Sequence, residues 1–412
     1  MAAFTFLCSE CGASYPEGAV RYVCPRCART QVRGGATRGV LQLELASLPT
    51  TFPAPGFAEP SALGEWLPLA SPASLPPLPV GGTPLLPVPR LRAVLHMPHL
   101  WVKDDSRNPS GSTKDRASLL VVAKAREYGF DTVACASTGN AASALACLAA
   151  AAGLEAVVFV PAAAPQAKLV QIASLGARLV RVAGSYDDAF ELCLAACERF
   201  GWYNRNTAFN PFTIEGKKTV ALEVAQQLAP EPPEVVVVPV GDGVILAGLA
   251  KGFADLCRAG LLSRHPRLVA VQPEGSAAIA RAVRSGAASV APHPGAASVA
   301  DSLVVATPRN GALALAALRS SGGGAVTVRD DAIVAAIGRL AAATGVFAEP
   351  AAAAVLAGLE VALAEGLVQP SERTVLLVTG SGLKDVPAAA RGLCLPAPIP
   401  PDLEAVAALF AV

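Results

Sequence analysis

From Thr132 onward the chain alternates short apolar runs with helical patterns. The runs are Val133–Ala136, Ala156–Val160, Arg178–Val182, Val235–Val240, Leu268–Gln272 and Thr374–Val378. Most are rich in β-branched residues with no polar alternation, which suits strands buried on both faces. Their alternation with helices predicts parallel sheets joined by crossover helices. The Pro-rich stretch Leu48 to Pro89 predicts a connector along the surface of the main body, and Ser285–Ala300 and the Gly-rich tract Ser321–Gly324 predict surface loops. No internal repeat is visible. The pattern predicts an α/β protein with two parallel-sheet domains and a small N-terminal appendage.

Composition narrows the class. A chain of 412 residues, 53% hydrophobic and 16% charged, can bury a large core and is too long for one simple domain. Its formal net charge of +1, with no basic stripe interleaved with aromatics, argues against nucleic acid or an anionic membrane as partner. The apolar stretch Ala141 to Pro165 is long enough to raise the question of a membrane span, but Gly153 and Glu155 interrupt it, so it predicts a helix followed by a buried strand. The N-terminus has no basic start followed by an apolar segment, so no signal peptide is expected and a cytoplasmic location is.

Two pairs of cysteines stand near the N-terminus. Cys8 and Cys11 are two residues apart, as are Cys24 and Cys27, with twelve residues between the pairs. Such knuckles supply four thiolates to a tetrahedral zinc ion. A disulfide across a two-residue gap is strained, and a segment this short needs a staple to fold. With four cysteine ligands the site is closed, so the zinc is expected to be structural. Residues 1–33 are therefore expected to form a zinc ribbon. The other cysteines, Cys135, Cys147, Cys193, Cys197, Cys257 and Cys394, are expected to be reduced, buried, apolar fillers.

Four turns rich in small residues carry the candidate chemistry. Asn108-Pro-Ser-Gly-Ser-Thr-Lys114-Asp-Arg116 presents one lysine ahead of a helical segment. Held tightly and partly desolvated, such an amine can condense with an aldehyde. Ala136-Ser-Thr-Gly-Asn-Ala141, Gly241-Asp-Gly-Val-Ile-Leu-Ala-Gly248 and Thr379-Gly-Ser-Gly-Leu-Lys-Asp385 each follow a strand-like run. In an open parallel sheet such turns gather at the carboxyl ends of the strands, where ligands bind. Taken alone, Asn140 also reads as a helix N-cap, Gly241, Gly243 and Gly248 as packing glycines, and Thr379 as a strand-end hydroxyl.

The ordered set, together with Asn210 to Thr219 (NPFTIEGKKT), Pro239 to Phe253 and Glu349-Pro350-Ala351, resembles the fold type II pyridoxal-phosphate enzymes of the tryptophan-synthase-β type. Within that group it most resembles the threonine synthases. The resemblance implies a large cofactor-binding domain from residues 34–104 and 214–412 and a small mobile domain from 105–213. It implies that Lys114 bonds the cofactor aldehyde and moves protons at the substrate carbons, and that Asn140 meets the cofactor's ring oxygen. It further implies that Gly241, Asp242, Gly243, Val244 and Ile245 cradle the cofactor phosphate, and that Thr379 sets a neutral hydroxyl against the ring nitrogen. Ser137, Thr138 and Gly139 would face the substrate's α-carboxylate. Homodimer formation is implied in the same way.

This chain departs from the family at the substrate end. Many members carry an arginine where it has Thr213, and a threonine often follows the key asparagine where it has Ala141. The phosphate loop is commonly Gly-Asn-x-Gly-Asn, and here Asp242, Val244 and Ile245 depart from it. An aspartate beside a phosphate repels it unless turned away or paired. So Thr213, Lys217 or Lys218 takes the substrate phosphate, or the leaving group differs. The implied reaction converts O-phosphohomoserine to threonine by γ-elimination and β-hydration. The alternatives are β-replacement or β-elimination on another amino acid, as in cysteate synthase or a serine/threonine dehydratase, and a non-catalytic zinc-ribbon regulatory protein.

Overall fold

A computed structural model describes residues 3–53, 60–164 and 166–410, with backbone alone for 60–62 and 166–168. Part of the Pro-rich connector, 54–59, thus lies outside the described residues. Two sheets organise the main body. One has six strands, in the order Gly324–Val328, Arg267–Pro273, Val235–Pro239, Thr374–Val378, Leu100–Asp104, Leu85–Pro87. All neighbours in it are parallel except the edge strand Leu85–Pro87. The other is wholly parallel, in the order Arg178–Val182, Glu155–Pro161, Thr132–Ala136, Tyr203–Asn204.

The apolar runs are these strands. Val235 to Val238 are fully buried because helices cover both faces, which is why no polar residue interrupts the run. The stretch after Ala141 is the helix Asn140–Ala152, stopped by Gly153 in the left-handed conformation, and then the strand Glu155–Pro161. Among the described residues no helix is long and apolar enough to cross a membrane. The Gly-rich tract is where expectation and structure part: Gly324 opens the edge strand Gly324–Val328, whose hydrogen bonds to Arg267–Pro273 outweigh a glycine's weak strand preference. Among the remaining cysteines, Cys394 is exposed, while Cys135, Cys193 and Cys197 are buried.

The N-terminal module is a third, antiparallel sheet: Phe4–Cys8 lies between Ser14–Pro16 and Leu41–Leu45. Its third strand lies beyond residue 33, because the sheet closes only when the chain returns past the second knuckle. Phe4 and Phe6 meet the ring of Phe212 edge-on, at 6.0 and 5.7 Å, and Tyr22 stacks on Phe209 at 4.9 Å. The module is thereby seated on the segment that leads into helix Phe212–Lys217.

A buried charge cluster ties the lysine turn to the main body. Arg116 reaches Asp105 (2.7 Å) and Glu223 (2.5 Å), and Lys103 reaches Glu223 (2.6 Å), all four side chains fully buried. Two cations face two carboxylates, so the cluster is neutral. Burial alone would raise the acids, but Arg116, with Lys103 behind it, holds Asp105 and Glu223 below the usual carboxylate range.

Candidate active site

The four small-residue turns converge on one cavity of about 510 Å³. Its wall includes Lys114, Ser137, Thr138, Gly139, Asn140, Gly241 to Ile245 and Thr379, drawn from both large sheets. The backbone explains how turns so far apart meet. Thr113 N–H donates to Thr379 O at 2.8 Å and Ser381 N–H to Gly111 O at 3.0 Å, so the lysine turn is zipped to the last strand's exit.

Lys114 begins the helix Lys114–Glu127 and is half-buried, with its side chain on the cavity wall. Burial lowers its amine to about 8, with Arg205 pushing the same way against the opposing carboxylates of Glu349 and Asp242. At neutral pH a useful fraction is therefore the free base, the nucleophilic form.

Gly139 caps the helix Asn140–Ala152, with no side-chain capping bond at this end. The Asn140 side chain is occupied elsewhere: its amide donates to Glu349 at 2.8 and 3.1 Å. That answers the N-cap reading of Asn140 and draws Glu349 into the site. Glu349 packs tightly on Gly380, where a Cβ would stand 2.2 Å from a carboxylate oxygen, so the residue after Thr379 has no room for a side chain.

The turn 241–245 makes a cradle at the N-terminus of helix Val244–Arg258. Gly243 has φ +93, and a Cβ there would lie 2.7 Å from that of Ala314, so only glycine fits. Such a turn offers N–H groups at the positive end of a helix, the arrangement that receives a phosphate. Asp242 is half-buried; desolvation raises its carboxyl above the usual range, and the Arg309 N–H it accepts at 2.5 Å offsets part of that rise. This bond is what accommodates an aspartate in the cradle.

The substrate-end expectations separate. Thr213 is not among the residues that wall the cavity; it is buried, and its hydroxyl donates back to Asn210 O at 2.8 Å. Lys218 is ion-paired with Glu215 and, at 3.1 Å, with Asp255. Lys217, its neighbour, lies on the cavity wall, 1% exposed, and its amine has no hydrogen-bond partner among the described residues. Burial first, then Lys114 and Arg205, push that amine well below a lysine's usual range. Residues not read from the sequence also wall the site: Ser185 to Asp187, Ser302 to Thr307 and Arg309. They lie in segments without a motif, so no local signal marked them.

The cysteines form a second site. The sulfurs of Cys8, Cys11, Cys24 and Cys27 lie within 4.8 Å of one another, Cys8 and Cys27 at 3.8 Å and Cys11 and Cys24 at 3.7 Å. Four thiolates about 2.3 Å from a central ion would be spaced by about 3.8 Å in a tetrahedron. The donor set therefore fits a tetrahedral metal.

A family model described as pyridoxal-phosphate dependent enzyme matches residues 77–380. The chain is similar to the threonine synthase of Methanosarcina acetivorans, with 35% identity over 92% of this chain and 91% of that one. It is similar also to that of Methanocaldococcus jannaschii, 36% over 82% and 84%. Among solved structures, threonine deaminase isoform 2 from Solanum lycopersicum superposes with a TM-score of 0.66 at 22% identity, covering 83% of this chain and 95% of that one, which is a likeness of fold.

Proposed function

This chain belongs to the pyridoxal-phosphate dependent enzymes, and from that membership we propose a lyase of threonine-synthase type acting on O-phosphohomoserine. The observation that carries the reading is the extended identity to threonine synthases together with a half-buried Lys114, its amine lowered by desolvation, beside a helix-end anion cradle. The cavity fits the cofactor: it has a nucleophilic amine, a cradle only glycine can form, and donors from both sheets. When bound, pyridoxal phosphate supplies an electron sink for the substrate's α-carbon.

The chain's own residues do the rest. Lys114 would bond the cofactor's aldehyde, then accept and return protons at the substrate carbons, for which a pKa near neutrality is suited. The N–H groups of Gly241 to Ile245 would receive the cofactor phosphate. Asn140, oriented by Glu349, would meet the ring oxygen, and Thr379 would place an uncharged hydroxyl at the ring nitrogen. Ser137, Thr138 and Gly139 would bind the α-carboxylate. We assign the leaving phosphate to Lys217 instead of Thr213 or Lys218, because of the three it alone lies on the wall with an unpaired amine.

We read the four cysteines as a structural Zn²⁺ site and residues 105–213 as the smaller, mobile domain against 34–104 and 214–412. Family membership supports a homodimer, to be checked by light scattering, and a cytoplasmic location.

The test is incubation of the holoenzyme with O-phosphohomoserine. Release of threonine and phosphate in equal amounts is expected. No turnover, with phosphate released from phosphoserine or 2-oxobutanoate formed from threonine instead, would move the assignment to β-replacement or β-elimination.

A further inference from the structure

Arg309 lies between three parts of the molecule. Its N–H donates to Asp242 Oδ1 at 2.5 Å, and the next N–H, of Asn310, donates to Asp242 O at 3.3 Å. Its guanidinium donates to Asp187 Oδ1 at 2.6 Å and to Gly35 O at 3.3 Å, and sits 3.9 Å over the Phe190 ring. Its carbonyl accepts the Thr37 N–H at 3.0 Å. Asp187 and Phe190 belong to helix Tyr186–Phe200, which packs on the four-stranded sheet. Gly35 and Thr37 belong to the strap that leaves the cysteine cluster. That strap is fixed at its other end by Cys24 N–H to Gly39 O (2.8 Å) and by Gly39 N–H to Glu10 (2.7 Å).

We infer that Arg309 is a positioning residue for the anion cradle, braced from the cysteine module through Gly35 and Thr37 and from the smaller sheet through Asp187. The physical need is local. The cradle contains a half-buried carboxylate, and a second anion beside it is acceptable only if that carboxylate is engaged and its charge offset. The Arg309 N–H engages it, and the guanidinium is a nearby positive charge on the same residue. Fixing the guanidinium on three sides fixes where that N–H points. The cysteine module thereby becomes part of the support of the cofactor site.

The inference rests on the cofactor reading above, and one set of titrations separates them. Apo-protein is titrated with pyridoxal phosphate by absorbance, and the thermal midpoint of each apo-protein is measured alongside. Arg309→Met is expected to raise the dissociation constant about tenfold, the loss of one charge-assisted, partly buried contact. Arg309→Lys is expected to lose less, since an ammonium keeps Asp187 but not the fork and stack. Asp187→Asn should weaken binding too, and the double variant Asp187→Asn/Arg309→Met should be no weaker than Arg309→Met alone. Should Arg309→Met fold poorly, the Lys and Asp187→Asn variants still decide the matter. An unchanged dissociation constant, with or without a lower thermal midpoint, overturns the inference, because the residue is then only a brace. Wild-type protein that binds no cofactor overturns the cofactor reading itself.

Discussion

The amide of Asn140 donates to both carboxylate oxygens of Glu349, at 2.8 and 3.1 Å, across 209 residues of sequence. The pair closes one side of the cavity, joining the helix that follows one sheet to the helix Pro350–Ala364 beside the other. If Glu349 orients that amide, Glu349→Ala should lower kcat about 10- to 100-fold with little change in KM, the cost of leaving a buried charge-assisted bond unmade. Glu349→Gln, which can still accept, should retain most of the activity. Steady-state kinetics of both variants checks this.

Lys114 gives a pH dependence with a definite sign. Only the free amine condenses with an aldehyde, so the rate at which apo-protein takes up pyridoxal phosphate should rise with pH and level off above about 8. Stability follows from the same shift. A lysine lowered by burial binds fewer protons folded than unfolded, so its contribution is full above its unfolded pKa and is lost as pH falls through about 8. Lys114→Arg should abolish uptake, and Lys114→Met should flatten the stability profile of the apo-protein over that window, as read by urea unfolding at several pH values.

At Lys217 stability and function should be opposed. An amine buried without a partner costs about 1–3 kcal/mol, so Lys217→Met should stabilise the apo-protein by an amount of that order. The same substitution should raise KM for O-phosphohomoserine about tenfold and weaken competition by inorganic phosphate to a similar degree. Both effects are read from one preparation by urea unfolding and inhibition kinetics. A variant that is more stable with unaltered phosphate inhibition would place the leaving group elsewhere.

The neutral cluster around Arg116 should be sensitive to the loss of one member. Arg116→Met leaves Asp105 a buried charge without its ion pair and Lys103 alone against two carboxylates, and should cost about 3–5 kcal/mol in urea unfolding. Arg116→Lys should recover part of this, since one ammonium cannot fork to two carboxylates.

Much of the architecture was legible along the chain. Val235–Pro239 and Thr374–Val378 declare themselves because a strand covered on both faces can hold only apolar side chains. The cysteine spacing indicated a tetrahedral site because knuckle geometry is local, and Lys114 stood out because a short turn must carry its own small residues. Gly324–Val328 was missed because an edge strand is made by its neighbour's hydrogen bonds, which leave no mark on its own composition.

By itself, then, the sequence determined whatever depends on a few consecutive residues: buried strands, glycine turns, the paired cysteines and the lysine at the head of its helix. The tertiary structure decided what depends on direction. Lys217 and Lys218 are adjacent and identical, yet successive residues of a helix point about 100° apart, so one faces the cavity unpaired and the other meets Glu215 and Asp255. Glu349 beside Asn140 and Arg309 beside Asp242 are likewise products of packing, since no rule of local spacing brings together side chains that only a completed fold makes neighbours.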